Sequence, residues 1–167
     1  MYKSFTDGGS TTDTSTTQET ELGTQQVVDG EGGPVIWIYV YNDDPSNAWF
    51  EGCVVVREAA ASATHAATKG MAFDGIRSGS AALRQNQVLG VAQGVVATGE
   101  YGWIAAKGVC TVKGDGSVAA DEHLATHTTG LADTASSAEI DDGKAFGIAL
   151  TADDAATVLA TCIIDCL

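Results

Sequence analysis

The chain has 167 residues, with 22 acidic and 8 basic side chains and a formal net charge of −14. That length supports one domain with a sizeable core plus an extension, and the acidity repels phosphate, which argues against a nucleic-acid partner. No stretch reaches the roughly 20 apolar residues a membrane-crossing helix needs, and the opening MYKSFTDGGSTT lacks the basic and apolar regions of a secretory leader, which predicts a cytoplasmic site of synthesis and no membrane partner.

The apolar content is made of Ala, Val and Gly rather than Leu and Phe, with 20 glycines and 2 prolines. Small residues and frequent turns predict a mainly β protein, a small β-barrel or β-sandwich. Residues 1–33 form a low-complexity N-terminal arm; residues 34–167 form the β-rich domain, with strands and loops over 34–86 and the barrel core over 87–167.

Within the arm, Gly8 to Thr20 contains no apolar residue. Such a segment cannot offset its own ordering entropy and needs something to hold it. The expected partner is a neighbouring subunit, gripped through the few apolar anchors Tyr2, Phe5, Leu22, Val27 and Val28. Thirty extended residues reach up to about 100 Å, far enough to cross a subunit boundary.

Pro34 to Tyr41, PVIWIYVY, predicts the strongest strand. Val35, Trp37, Tyr39 and Tyr41 share one face, and Ile36, Ile38 and Val40 the other. Apolar residues on both faces mean burial on both, so Trp37, Tyr39 and Tyr41 are the candidate oligomer interface. Asn42 to Asn47 is a turn; its Asp43 and Asp44 could bind a cation, although adjacent loop acids are ordinarily solvated.

Trp49 to Glu58 predicts a further strand. Ala59 to Lys69 allows a short helix weakened by Thr, Ser and His65, the last read as a surface or packing residue. Phe73 to Gln87, with Arg77 and Arg84, predicts a loop suited to partner contacts.

Gln87 to Val112 carries the densest β pattern, with a turn at Ala97-Thr98-Gly99-Glu100. From Lys107 to Lys113 the alternation is clean, with Lys107, Val109, Thr111 and Lys113 on one face and Gly108, Cys110 and Val112 on the other. Gly114-Asp115-Gly116 turns the chain. Over Ser117 to Leu131, His123 and His127 are four apart with Glu122 nearby. They form the best metal or acid–base candidate, but the surrounding Gly, Thr and Ala argue for strand and turn over helix. Ala132 to Gly143 predicts a polar loop, and Lys144–Leu150 and Thr157–Leu167 the closing strands. Between those strands, Thr151 could cap Asp154.

Cys53, Cys110, Cys162 and Cys166 show no CxxC pair and no zinc spacing, and read as small buried hydrophobes. Disulfide formation in an oxidising medium is the alternative. No hydrolase elbow, phosphate loop or dinucleotide fingerprint is present. The residues therefore predict neither an enzyme nor a bound cofactor or metal.

The phrase VLGVAQGVVATGEYGWIAAKGVCTV, from Val88 to Val112, is followed by Gly116-Ser117-Val118-Ala119-Ala120 and by Ala145-Phe146-Gly147-Ile148-Ala149-Leu150. Together these resemble a family of tailed-phage head proteins, the capsid decoration or cement proteins, over about Val88 to Leu167. The chain departs from that pattern at Asp121-Glu122-His123-Leu124, where the family tends to have a glycine before the leucine. The resemblance implies a virion protein made in the host cytoplasm and bound to the outer face of the capsid. There it would cement neighbouring major capsid protein subunits against internal DNA pressure. It also implies a homo-oligomer, with a trimer the best fit, and brings no catalytic residue with it. Two alternatives stay open. One is another virion part, a head fibre or tail adaptor. The other is a small carbohydrate-binding or hydrolytic β domain, for which Tyr101 and Trp103 share a face that could stack on a sugar, although core packing is the commoner use of such a pair.

Overall fold

In a computed structural model described over residues 12–30, 32–58, 73–153, 155 and 158–167, the chain is mainly β, as its composition predicts. The strands are β1 (Thr14–Ser15), β2 (Gln25–Gly30), β3 (Gly33–Asn42), β4 (Val54–Arg57), β5 (Asp74–Arg77), β6 (Val88–Ala92), β7 (Tyr101–Lys113), β8 (His123–Thr126), β9 (Ala132–Thr134), β10 (Gly147–Ala149) and β11 (Leu159–Asp165). A five-residue helix, α1 (Ser137–Asp141), interrupts the C-terminal strands.

Five strands close on themselves. β3 pairs with β5, β5 with β4, β4 with β6, β6 with β7, and β7 returns to β3. The closing β3–β5 contact is parallel and only two residues long, Tyr41 opposite Asp74 and Asn42 opposite Gly75. Inside this ring lie Ile38, Val40, Trp49, Val55, Leu89 and Ile104, all buried. The sequence reading placed Phe73–Gln87 in a loop; Asp74–Arg77 is instead the strand that closes the ring. DGIR has neither β-branched alternation nor length, so its extended form is imposed by β3 and β4 on its two sides rather than by propensity.

β7 is the organising strand. Its first half pairs with β3 and β6, and its second half with β11, from Lys107 opposite Asp165 to Lys113 opposite Leu159. The register slips between the halves: Ile36 faces Lys107, but Trp37 faces Ala105, leaving Ala106 as the extra residue of a β-bulge. Gly108, with φ +112°, completes the bend. An added Cβ there would stand 2.7 Å from the Pro34 carbonyl oxygen, so only glycine fits. The slip switches the parity of the strand. Trp103 and Ala105 before it, and Cys110 and Val112 after it, all enter the same larger core.

That larger core lies between the outer wall of the ring and a second sheet in the order β7-β11-β10-β8-β9. Val35, Trp37, Tyr39, Val54, Val56 and Val91 come from the ring; Leu124, Phe146, Ala149, Ala160, Cys162 and Ile164 come from the second sheet. β11 is clamped between β7 and β10, which leaves it no open edge.

Buried polar groups hold the connections. The Asp153 carboxylate accepts N–H groups from Val118 and Gly116, both at 2.8 Å. Asn42, wholly buried, donates to the Val96 and Asn47 carbonyls and accepts from the Asp44 N–H. α1 was not anticipated within the expected polar loop. Its signature is legible in hindsight: Ser136 and Glu139 form a capping box, each side chain accepting from the other's N–H.

Candidate interaction face

Strand parity in the second sheet sends Ala160, Cys162 and Ile164 inward and Leu159, Thr161 and Ile163 outward. On β10 the outward residue is Ile148, directly opposite Ile163, which in turn faces Val109 on β7. His123 of β8 continues that row on the other side. Leu150, two residues on from Ile148, donates its N–H to the Thr161 carbonyl at 2.7 Å. Ile148, Leu150 and Ile163 are 39%, 42% and 46% exposed. The outcome is a partly exposed face of Ile, Leu and Thr, bounded at Val109 by Gly32, on which an added Cβ would stand 2.6 Å from the valine side chain.

Charge sits at the margins of this face. Across the outward positions of β7, β10 and β11 the one carboxylate is Asp165, held 2.9 Å from the Lys107 ammonium. Lys113 lies at the opposite end, 4.9 Å over the Phe50 ring. On a chain of net charge −14, this is a place where a second surface can approach without facing uncompensated acids. An exposed apolar patch with a polar rim is the usual mark of a protein-binding surface.

Of the expected arm anchors, Tyr2 and Phe5 lie outside the described residues. Leu22 and Val28 pack against this chain's own larger core, and Val27 is 66% exposed. The segment from Thr12 to Gly30 is held by the chain itself: β1 pairs with the start of β7, and β2 pairs with β3 from Gly33 to Ile38. The Glu19 N–H also donates to the Tyr39 hydroxyl at 3.2 Å.

The two-faced burial expected of Pro34–Tyr41 is satisfied within the chain. Trp37 and Tyr39 belong to the larger core, and of the three proposed interface aromatics Tyr41 keeps partial exposure. Tyr39 stacks on Tyr101 at 6.0 Å and tilts against Trp103 at 5.1 Å, while Tyr41 tilts against Tyr101 at 4.8 Å. Burial raises the hydroxyl pKa of all three tyrosines above the ordinary value. Tyr101 and Trp103 are thus engaged in packing, the commoner of their two expected uses.

The candidate histidine pair is not set on a helix face. His123–Thr126 is a strand, as the local composition argued, and His127 follows it outside the ladder. His127 instead meets acids that sequence spacing did not reveal. Its Nε2 lies 3.9 Å from Asp115 Oδ2, and donor atoms of Asp115, His127 and Asp133 lie within 4.8 Å of one another. The Ser117 hydroxyl sits between the two carboxylates, 2.7 Å from Asp115 and 2.8 Å from Asp133. Among the described residues this grouping could hold a metal ion. Of the loop acids Asp43 and Asp44, the latter is occupied: Oδ1 accepts from the Ser46 N–H and the Asn47 side-chain amide, and Oδ2 lies 3.7 Å from Arg77 Nε. His65 and the expected 59–69 helix lie outside the described residues, as does Asp154.

Two open clefts stand among the described residues. One of about 450 Å³ is lined by Val56, Arg57, Glu58, Ile76, Leu83 and Gln87, and one of about 200 Å³ by Asp44, Asn47, Arg77, Thr128 and Thr129. Among the described residues, neither lining includes a histidine or cysteine.

No protein-family model matches the chain, and no curated protein matches it. Among solved structures, it is similar to the N base of the head fiber protein gp8.5 of bacteriophage phi29. The identity is 13% and the TM-score 0.53, over 79% of this chain and 95% of that one. At that identity the likeness is one of fold.

Proposed function

We propose that this chain is a structural protein of a tailed-phage head, working as the base module of a projecting, fibre-like appendage on the outer capsid surface. The observation that carries this reading is its fold, shared with a head-fibre base over nearly the whole of that domain. The Val88–Leu167 motifs, which resemble phage head decoration proteins, support the same class of role from the sequence side.

The work of such a module is mechanical. Copies associate through the apolar Ile148–Leu150–Ile163 face, which buries β-branched surface and keeps the acidic exterior in solvent. The partners are a second copy of this chain, with three the expected number, and the major capsid protein. Many modest contacts repeated over a symmetric shell give attachment by avidity.

Cementing of neighbouring major capsid subunits is the second reading, favoured by the sequence resemblance. One experiment separates the two. Purified protein is added to phage heads that lack it and the particles are imaged by cryo-electron microscopy. Separate projecting densities at symmetry positions support a fibre base. A continuous layer bridging neighbouring capsid subunits supports cement. Bare shells would overturn both, and a glycan array would then test the carbohydrate-binding alternative.

A further inference from the structure

Cys110 on β7 and Cys162 on β11 are register partners 52 residues apart in sequence, with their Sγ atoms 3.7 Å apart in the larger core. Neighbouring bonds define the kind of position they occupy. The Cys166 N–H donates to the Ala106 carbonyl at 2.9 Å, and the Gly114 N–H to the Val158 carbonyl at 3.3 Å. Both pairs continue the register that sets Cys110 opposite Cys162. Because antiparallel pairs alternate in type, Cys110 and Cys162 stand at a hydrogen-bonded site, where Cα atoms are about 5.5 Å apart. Disulfides bridge Cα separations of roughly 4.4–6.8 Å. The Cα spacing of such a site lies within that range; its Cβ atoms, wider apart than at a non-hydrogen-bonded pair, must draw together as the side chains rotate to close the sulfur–sulfur gap.

We propose that Cys110 and Cys162 form an oxidisable cross-link that staples the last strand to β7. The oxidant is a low-molecular-weight disulfide. One cysteine, as its thiolate, attacks a sulfur of the small disulfide and expels one small thiolate, leaving a mixed disulfide on the protein. The other cysteine thiolate attacks the protein sulfur of that bond and expels the second small thiolate. Two protein thiols and one small disulfide become one protein disulfide and two small thiols, which take up the two cysteine protons. The small disulfide is reduced and the protein oxidised.

Both thiols are buried, so the exchange waits on local opening of β11. The mutual contact of the pair, together with burial, also holds the Cys110 thiol well above the ordinary thiol range. The other two cysteines are placed differently. Cys53 belongs to the ring interior, a separate core. Cys166 lies just past the end of β11, where its register partner is Ala106 rather than a cysteine.

The test is to incubate the full-length reduced chain with excess oxidised glutathione just below its unfolding midpoint, where β11 opens repeatedly. Peptide mapping without reductant then locates any bond. The expected product is a Cys110–Cys162 linked peptide, loss of the mass of two hydrogens, and a higher urea midpoint that dithiothreitol reverses. Cys53→Ala should keep that reversible shift, and Cys110→Ala and Cys162→Ala should each abolish it. Free thiols at 110 and 162 after such incubation would overturn the proposal, as would a bond that includes Cys53 or Cys166.

Discussion

Ile148 and Ile163 stand directly opposite each other on β10 and β11, both turned away from the core and both well exposed. Their inward neighbours, Ala149 and Ile164, are buried. Two β-branched side chains facing water as a cross-strand pair do little for the isolated fold beyond their mutual contact. They are the centre of the proposed assembly face.

Replacing that pair tests the face without breaking the domain. Ile148→Lys with Ile163→Glu, a cross-strand pair of opposite charge, should leave the urea midpoint nearly unchanged, within about 1 kcal/mol in stability, because both sites reach solvent. The oligomer should fall to monomer in sedimentation equilibrium, and retention on phage heads should drop at least tenfold. An unchanged oligomer would remove this face from the assembly.

Gly108 carries the bend that lets β7 serve two sheets. Gly108→Ala places a Cβ against the Pro34 carbonyl in backbone with φ +112°. The cost should be roughly 2–4 kcal/mol, from steric overlap added to backbone strain. Gly33→Ala provides a contrast: its φ is also positive, at +108°, but nothing lies within 4 Å of the added Cβ. It should cost about 1–2 kcal/mol, from strain alone. Urea unfolding of the two variants checks the difference.

Trp49 fills the ring interior with no exposed surface. Trp49→Ala should destabilise by about 3–5 kcal/mol through the cavity it leaves. Trp49→Phe should cost much less, because the indole N–H has no hydrogen-bond partner to lose. Equal losses in the two variants would contradict this account.

The buried thiols make stability fall in alkali. Burial pushes the Cys53 thiol from its ordinary 9.0 up to about 12, and raises Cys166 further. The folded chain therefore keeps its thiol protons at a pH where the unfolded chain has released them. The sign is negative: this stability is fully present below pH 9.0 and is lost as pH rises toward about 12. Urea midpoints measured over that range should decline, and Cys53→Ala should flatten part of the decline. Native protein at neutral pH should also resist alkylation at all four buried cysteines until unfolded.

Legibility in the sequence followed the range of the interaction. The β3 strand, the alternation over Lys107–Lys113 and the turn at Ala97–Glu100 were readable because side-chain period and glycine placement are local signals. Cysteine burial was readable from the absence of ligand spacing. β5 was missed because four residues without alternation become a strand only when flanked by β3 and β4. The neighbours of His127 were not legible, since Asp115 and Asp133 reach it across strands and not along the chain. Trp37 and Tyr39 read as an interface because two apolar faces require two coverings, and the pattern does not say that the chain supplies both.

By itself, then, the sequence determined the class of this protein: mainly β, acidic, rich in turns, with its apolar residues sorted onto strand faces. Those features follow from local backbone preference and from the two-residue period of an extended chain. Tertiary structure alone decided which face met which. The return of β7 to β3, the parity switch at Ala106–Gly108, the meeting of Cys110 with Cys162 and the outward turn of Ile148 and Ile163 all depend on pairings between distant segments. A periodic pattern states that a face is apolar; the closure of the sheets determines whether the chain or a partner covers it.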